Sequence, residues 1–320
     1  MNWRIKMRLR ILITLASLLY LNINFAREMR LEVKSRTELK GVPSASGIEF
    51  YADSYYVVGD NSAWLYHFNS AFEGLVKYQI HDPLNQVNDT IPKKVKPDFE
   101  ATTLVTSSNQ AQLYIFGSGS KSPMRDILVK VDLNNPRNYE SLSLEKFYLK
   151  LKADGVSELN IEGAVYANDY FYLLNRADNS IIRFAHVEFE AFLRSPVQDL
   201  KFTKFKFVLP VVDNVQAAFS GATLIPGTDR MIFTASLEQT DNWIDDGAIL
   251  GSYLGIINLN ELQDTNEALV LPILENGTVS KVKIESVTVK SATRQKVEVF
   301  MVTDSDGGAS ELIEADLFFH

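Results

Sequence analysis

The sequence contains no cysteine, which excludes a disulfide scaffold, a thiolate metal site and a cysteine nucleophile. Histidine is scarce: His67, His81, His186 and His320 lack the spacing of a zinc site or a catalytic triad and read as structural or surface residues. A Gly-X-Ser-X-Gly elbow is missing, so serine-hydrolase chemistry has no signature. Positive charge is in deficit, with 32 Lys+Arg against 40 Asp+Glu and a net charge of −8. The 46% hydrophobic content is far above that of a chain too polar to build a core.

Residues 1–26 have the form of a signal peptide. Arg4, Lys6, Arg8 and Arg10 form a basic start, Ile11 to Leu21 an apolar core, and Ala26 a plausible cleavage point. Asn22 and Asn24 end the apolar run below the roughly 20 residues that a membrane span needs, so stable membrane insertion after cleavage is not expected. Secretion or export to a periplasm follows. Because residues 1–26 hold four cations and no anion, the remainder carries −12. That charge disfavours nucleic-acid polymers and anionic lipid, and matches a divalent cation.

A repeat of about sixty residues organises residues 27–320 as one domain. Each unit has an opening segment, a second apolar strand and a third. The openings are Ser46-Gly-Ile-Glu-Phe, Glu100-Ala-Thr-Thr-Leu, Glu162-Gly-Ala-Val-Tyr, Ser220-Gly-Ala-Thr-Leu and Glu285-Ser-Val-Thr-Val, spaced by 54, 62, 58 and 65 residues. The segments are short, rich in β-branched and aromatic residues, and bounded by Gly, Asn, Asp or Ser, which predicts strands. One linking helix is expected over Val187–Arg194. Five such units predict an all-β, five-bladed β-propeller. The last unit lacks an outer strand, and Met29 to Leu39 is an unassigned strand that can supply it and remove an exposed edge.

In a propeller the first strand of each blade lies against the axis, so Ser46, Glu100, Glu162, Ser220 and Glu285 should form one ring. The next positions, Gly47, Ala101, Gly163, Gly221 and Ser286, are all small, as crowding at an axis requires. Three carboxylates in one channel repel unless they hold protons or share a cation, and an oxygen-only ligand set suits Ca²⁺. Loops after the second strands should surround the axial mouth and offer Asp60, Lys121 with Arg125, Arg176, Trp243 and Asp304 to an anionic small molecule. Gly117-Ser-Gly-Ser-Lys121 could present backbone N–H groups and a cation to such an anion.

The order Ser, Glu, Glu, Ser, Glu over five repeats resembles the soluble calcium-activated nucleotidases, or apyrases. The likeness is closest in Phe219-Ser-Gly-Ala-Thr-Leu-Ile-Pro-Gly-Thr-Asp229 and extends to Ser46-Gly47, Leu113-Tyr-Ile-Phe-Gly117, Asn175-Arg176-Ala177 and Ile284-Glu285. It implies a five-bladed propeller with one central Ca²⁺ and hydrolysis of nucleoside di- and triphosphates. The sequence departs from that pattern where the chemistry lies. The acidic motif of the family's opening strand is missing from Met29 to Leu39, its Asp-Asp-Arg is Gly59-Asp60-Asn61, and its paired arginines are Asn175-Arg176. A weaker likeness is to phytase-related esterase-like secreted propellers. The expectation is therefore a calcium-binding propeller that acts either as a calcium-dependent hydrolase of a phosphorylated or other anionic small molecule, or as a non-catalytic binding module with a structural calcium.

Overall fold

The computed structural model describes residues 29–83, 86–87, 89–107, 110–197, 199–240, 247–304 and 309–319. The proposed signal peptide and Trp243 lie outside the described residues. Five antiparallel sheets stand around an axis. Blade 1 runs Ala45–Tyr51, Ser54–Gly59, Trp64–Asn69 and Val76–Gln79, and blade 2 runs Phe99–Thr106, Ala111–Gly117, Ile127–Asp132 and Tyr139–Ser143. Blade 3 comprises Ile161–Ala167, Tyr170–Asn175, Ser180–Ala185 and Phe202–Val208, with Thr265–Glu267 added in parallel at its edge. Blade 4 comprises Ala218–Leu224, Arg230–Gln239, Ala248–Asn258 and Leu269–Pro272. Blade 5 takes Ile284–Ala292, Lys296–Thr303 and Ala309–Phe319 from the end of the chain and Met29–Pro43 from its start.

The closing strand pairs Met29 with Phe319 and Glu38 with Glu311 in antiparallel register. Arg36 reinforces it with ion pairs to Glu311 at 2.5 Å and Glu275 at 3.2 Å, and Lys34 lies 3.0 Å from Asp316. The expected joining of the two ends is thus the observed one.

Each pair of neighbouring blades encloses its own apolar core, and the five cores complete the ring. Blades 1 and 2 bury Val58, Leu65, Phe99 and Ile115 between them, and blades 5 and 1 bury Leu39, Ile48, Tyr55 and Phe300. The core between blades 2 and 3 is extended by two helices, α1 (Glu145–Ala153) and α2 (His186–Arg194), which contribute Phe147, Tyr148, Leu151, Phe189 and Phe192. Helix α2 was expected from the sequence and α1 was not, although its buried Phe147, Tyr148 and Leu151 sit at helical spacing.

The small residues of the inner strands mark the closest approach of the blades. A Cβ on Gly221 would lie 2.6 Å from the Glu285 carbonyl oxygen and from the Ser286 Cα, and one on Gly47 would lie 2.6 Å from the Thr102 methyl. Backbone cannot yield as a side chain can. Gly221→Ala is therefore expected to cost about 2 kcal/mol through overpacking, read as a lowered denaturant midpoint.

Candidate functional site: a charged ring at one end of the axis

Every inner strand carries a register shift near its start, and the skipped residue is the same repeat position in each. The shifts fall between Ala45 and Gly47, Phe99 and Ala101, Ile161 and Gly163, Phe219 and Gly221, and Ile284 and Ser286. Ser46, Glu100, Glu162, Ser220 and Glu285 are therefore five matched β-bulges. A bulge re-aims its side chain out of the strand's alternation, which lets a polar residue leave the apolar interface between blades.

Two further rings lie at the same end. Two residues before each bulge stand Ser44, Asp98, Asn160, Ala218 and Lys283, and one position beyond the second-strand partner of the residue that precedes each bulge stand Asp60, Ser118, Arg176, Ser236 and Asp304. The polar members of these rings interlock. Lys96 bridges Asp60 and Asp98, lying 2.7 Å from the latter, and the Arg125 Nη1 donates to Asp98 at 2.6 Å. Arg176 Nη2 donates to Glu238 at 2.6 Å, and Lys283 lies 3.1 Å from Glu285 and 3.7 Å from Glu238. The Asn160 amide donates to Glu162 at 2.7 Å.

Of the residues expected at the mouth, Asp60, Arg125 and Arg176 are in this network, and Asp304 occupies the equivalent blade 5 position. Lys121 is exposed on the turn that carries Arg125. The amides of that turn are directed at the protein itself: Ser118 N donates to the Asp98 carbonyl, Gly119 N to the Arg125 carbonyl, and Ser120 N to the Ser118 hydroxyl. Helix α1 braces the turn, since the Tyr148 hydroxyl donates to the Gly117 carbonyl at 2.6 Å. Arg125, rather than backbone N–H groups, is thus what the turn delivers to the axis. Sequence reasoning missed Lys96, Asp98, Asn160 and Lys283. The signal for three of them was the constant offset of two residues before the bulge.

The cluster holds Asp60, Asp98, Glu100, Glu162, Glu238 and Glu285 against Lys96, Arg125, Arg176 and Lys283, which leaves two negative charges in excess when all are ionised. Asp60, Asp98 and Glu100 each bring a carboxylate oxygen within 4.8 Å of one another, and of the five ring residues Glu100 alone belongs to such a cluster among the described residues. Burial drives the Glu100 carboxyl well above the usual range, with Glu162, Asp98 and Asp60 adding to the rise. Burial also pushes Glu162 up to about 7, with Glu285 adding to the rise and Arg176 and Lys283 opposing it.

These shifts give a pH dependence of defined sign. A carboxyl whose folded pKa is raised contributes its full stability below its unfolded value near 4.5, and loses it as the pH rises through the folded value near 7. Without added metal, stability is expected to fall by about 3 kcal/mol between those limits from Glu162 alone, with Glu100 acting in the same direction. Chemical denaturation in chelator across that range measures it, and Glu162→Gln should flatten the curve.

Three buried or half-buried groups in the cluster are unspent. Asp60 Oδ1 and Arg176 Nη1 have no hydrogen-bond partner, and the Glu100 carboxyl makes no hydrogen bond or ion pair among the described residues. Ser46 donates its hydroxyl proton to the Phe99 carbonyl and Ser220 donates to Thr234 at 3.1 Å, so both keep oxygen lone pairs as acceptors. The arrangement can accept a cation on its oxygens and an anion on its guanidinium.

Fold and site together define a five-bladed β-propeller closed by its N-terminal strand, with a charged cluster at one end of the axis. The chain belongs to the family of unknown function DUF6929, whose model matches residues 41–317. No curated protein matches the sequence. Among solved structures, glutaminyl cyclase of Myxococcus xanthus is similar at 9% identity over 91% of this chain and 97% of that one, with a TM-score of 0.48. A bifunctional GH43-CE protein of Bacteroides eggerthii is similar at 9% identity over 86% of this chain and 33% of its own, with a TM-score of 0.49. The chain spans 58% of Kuenenia stuttgartiensis hydrazine synthase, at 9% identity and a TM-score of 0.40. Such likenesses concern shape and carry no chemistry across. No helix among the described residues is long and apolar enough to cross a membrane.

Proposed function

We propose that this is an exported propeller that binds Ca²⁺ at its charged ring and, beside the metal, an anionic small molecule. The observation that supports it is the pairing of unspent atoms of both signs at one place: Glu100 and Asp60 Oδ1 on one side and Arg176 Nη1 on the other. Glu100, Glu162 and Glu285, with Ser46 and Ser220, would supply the oxygen ligands, and a divalent ion would offset the two excess charges. Its chemistry when bound would be to polarise an oxygen of the anion. The protein's own part would be to orient that anion through Arg176, with Arg125 and Lys96 holding Asp98 and Asp60 in place.

Hydrolysis of the anion is the stronger form of this reading, and phosphate release from UDP, GDP and ATP with and without Ca²⁺ tests it. Release that depends on Ca²⁺ and is lost in Glu162→Gln supports a hydrolase. A second reading, a binding module with a structural calcium, is favoured by the opening strand. Glu32 and Glu38 lie on the outermost strand of blade 5, paired at the sheet edge, where they cannot reach the axis. Calorimetry separates both from a metal-free protein: Ca²⁺ should bind at one site, and Glu100→Gln should weaken it by roughly tenfold or more. A protein with no heat of Ca²⁺ binding and an unchanged melting temperature in chelator would defeat the metal in either form.

A further inference from the structure

The inner strands end, further along the axis from their bulges, around a cavity of about 450 Å³. Its lining residues come from the second halves of all five inner strands, among them Glu49 and Phe50, Thr103, Tyr166, Thr223 and Thr288. The volume is within the range of small-molecule sites. Its chemistry is unlike that of the charged ring. One carboxyl, Glu49, faces it, and no lysine, arginine or histidine lines it among the described residues.

Glu49 is 5% exposed, and its side chain makes no hydrogen bond or ion pair with any described residue. Burial alone drives its carboxyl well above the usual range, with no neighbouring charge involved. The carboxyl opens on the cavity and no protein group answers it, so packing within the chain gives no reason for a glutamate there. The matched positions on blades 2, 4 and 5 are Thr103, Thr223 and Thr288, which fill the same level of the strands with hydroxyls. Thr103 and Thr288 accept backbone N–H bonds from Tyr166 and Phe50, each at 2.9 Å, which leaves their hydroxyl protons free to donate. Phe50, Tyr51 and Tyr166 supply aromatic wall. Beyond the wall, the Tyr166 hydroxyl donates to Asp169, and Asp229 accepts from Asn168, so the groups around this mouth are acidic too.

We infer that this cavity is a binding site for a compact organic cation, a primary ammonium on a short apolar or aromatic body, which pairs with Glu49 and lies against Phe50 and Tyr166. A neutral ligand would gain only an ordinary hydrogen bond from a protonated Glu49. A cation would form a desolvated charge-assisted pair and add attraction to the aromatic faces. An anion meets no positive partner there. Below the pH at which Glu49 ionises in the free protein, binding converts a neutral carboxyl to a carboxylate, so one proton leaves to solvent for each ammonium bound, and charge balances within the cavity.

The test is titration calorimetry of the full chain with phenethylammonium and n-butylammonium, against neutral 2-phenylethanol and anionic phenylacetate. Runs in two buffers of different ionisation heat read the proton released. The ammonium ions should bind roughly tenfold or more tightly than the alcohol, release close to one proton below the pH at which Glu49 ionises in the free protein, and leave phenylacetate without a signal. Glu49→Gln should remove that advantage and the proton release, whereas Glu100→Gln, at the other end of the axis, should change neither. Glu49→Gln removes an unpaired acid and should melt no lower than the unaltered protein. If it fails to fold, the proton count on the unaltered protein still decides. Equal affinity for alcohol and ammonium, absence of ammonium binding, or binding without proton release would overturn the assignment.

Discussion

Replacing Lys96 by methionine is expected to destabilise the protein by about 3–5 kcal/mol in chelator, and to make it more responsive to calcium than the unaltered chain. The Lys96 ammonium bridges Asp60 and Asp98, and burial opposes its charge. Asp60, Asp98 and Glu100 more than offset that cost, so its pKa is raised. Removing the charge while keeping the stem leaves Asp60 and Asp98 buried with Arg125 as the remaining cation near Asp98. The same change leaves Asp60, Asp98 and Glu100, three carboxylates within 4.8 Å, open to an incoming ion. Millimolar Ca²⁺ should therefore restore most of the loss in a denaturant series. A loss that Ca²⁺ does not restore would mean that the lysine's place cannot be taken by a metal.

Deleting residues 29–40 should have the second large effect, because it opens the ring. The strand Ala309–Phe319 would lose its antiparallel partner and present an unpaired edge, a template for association with other chains. Leu31 and Val33 pack on the core between blades 4 and 5, and buried Leu39 belongs to the core between blades 5 and 1. Their burial is worth on the order of 5 kcal/mol, a large part of the stability of an ordinary domain. The truncated chain is expected to be recovered as aggregate, or to elute as an oligomer with a broad, non-cooperative melt. A monomeric product that melts like the full chain would show that the N-terminal strand is an ornament rather than a closure.

The fold was legible in the sequence because a propeller repeats its signals. Five apolar openings at similar spacing, each with a small residue in second place, located the inner strands to within two residues of their starts, as at Ala45 for Ser46 and Phe99 for Glu100. The missing fourth strand of blade 5 pointed to Met29 to Leu39 by simple counting, and the observed strand runs on to Pro43. The bulges were not legible, since a register shift is a relation between strands that no single strand records. The ion-pair network was only partly so. Asp60 and Arg176 follow second strands, where loops were expected to converge, but Glu238 lies two residues beyond the equivalent position in a longer strand. Lys96 falls outside the constant offset of two residues before the bulge and carries no mark of burial in sequence, and a lysine in a loop ordinarily reads as solvated. Lys121 shows the converse, a cation beside a glycine-rich turn that stays exposed while Arg125 reaches inward.

The central claim is that five matched bulges build one cation site on the axis. Crystals grown or soaked with Ca²⁺, or with Tb³⁺ for its stronger anomalous signal, test it most directly. The predicted result is a single anomalous peak beside Glu100, bounded by Glu162 and Glu285 and within ligand distance of a ring oxygen from each. A map with no peak on the axis, while Lys96 still bridges Asp60 and Asp98 and the carboxyls of Glu100 and Glu162 remain free of metal, would contradict it and leave the ring as a self-neutralised network held by its own lysines, arginines and protons.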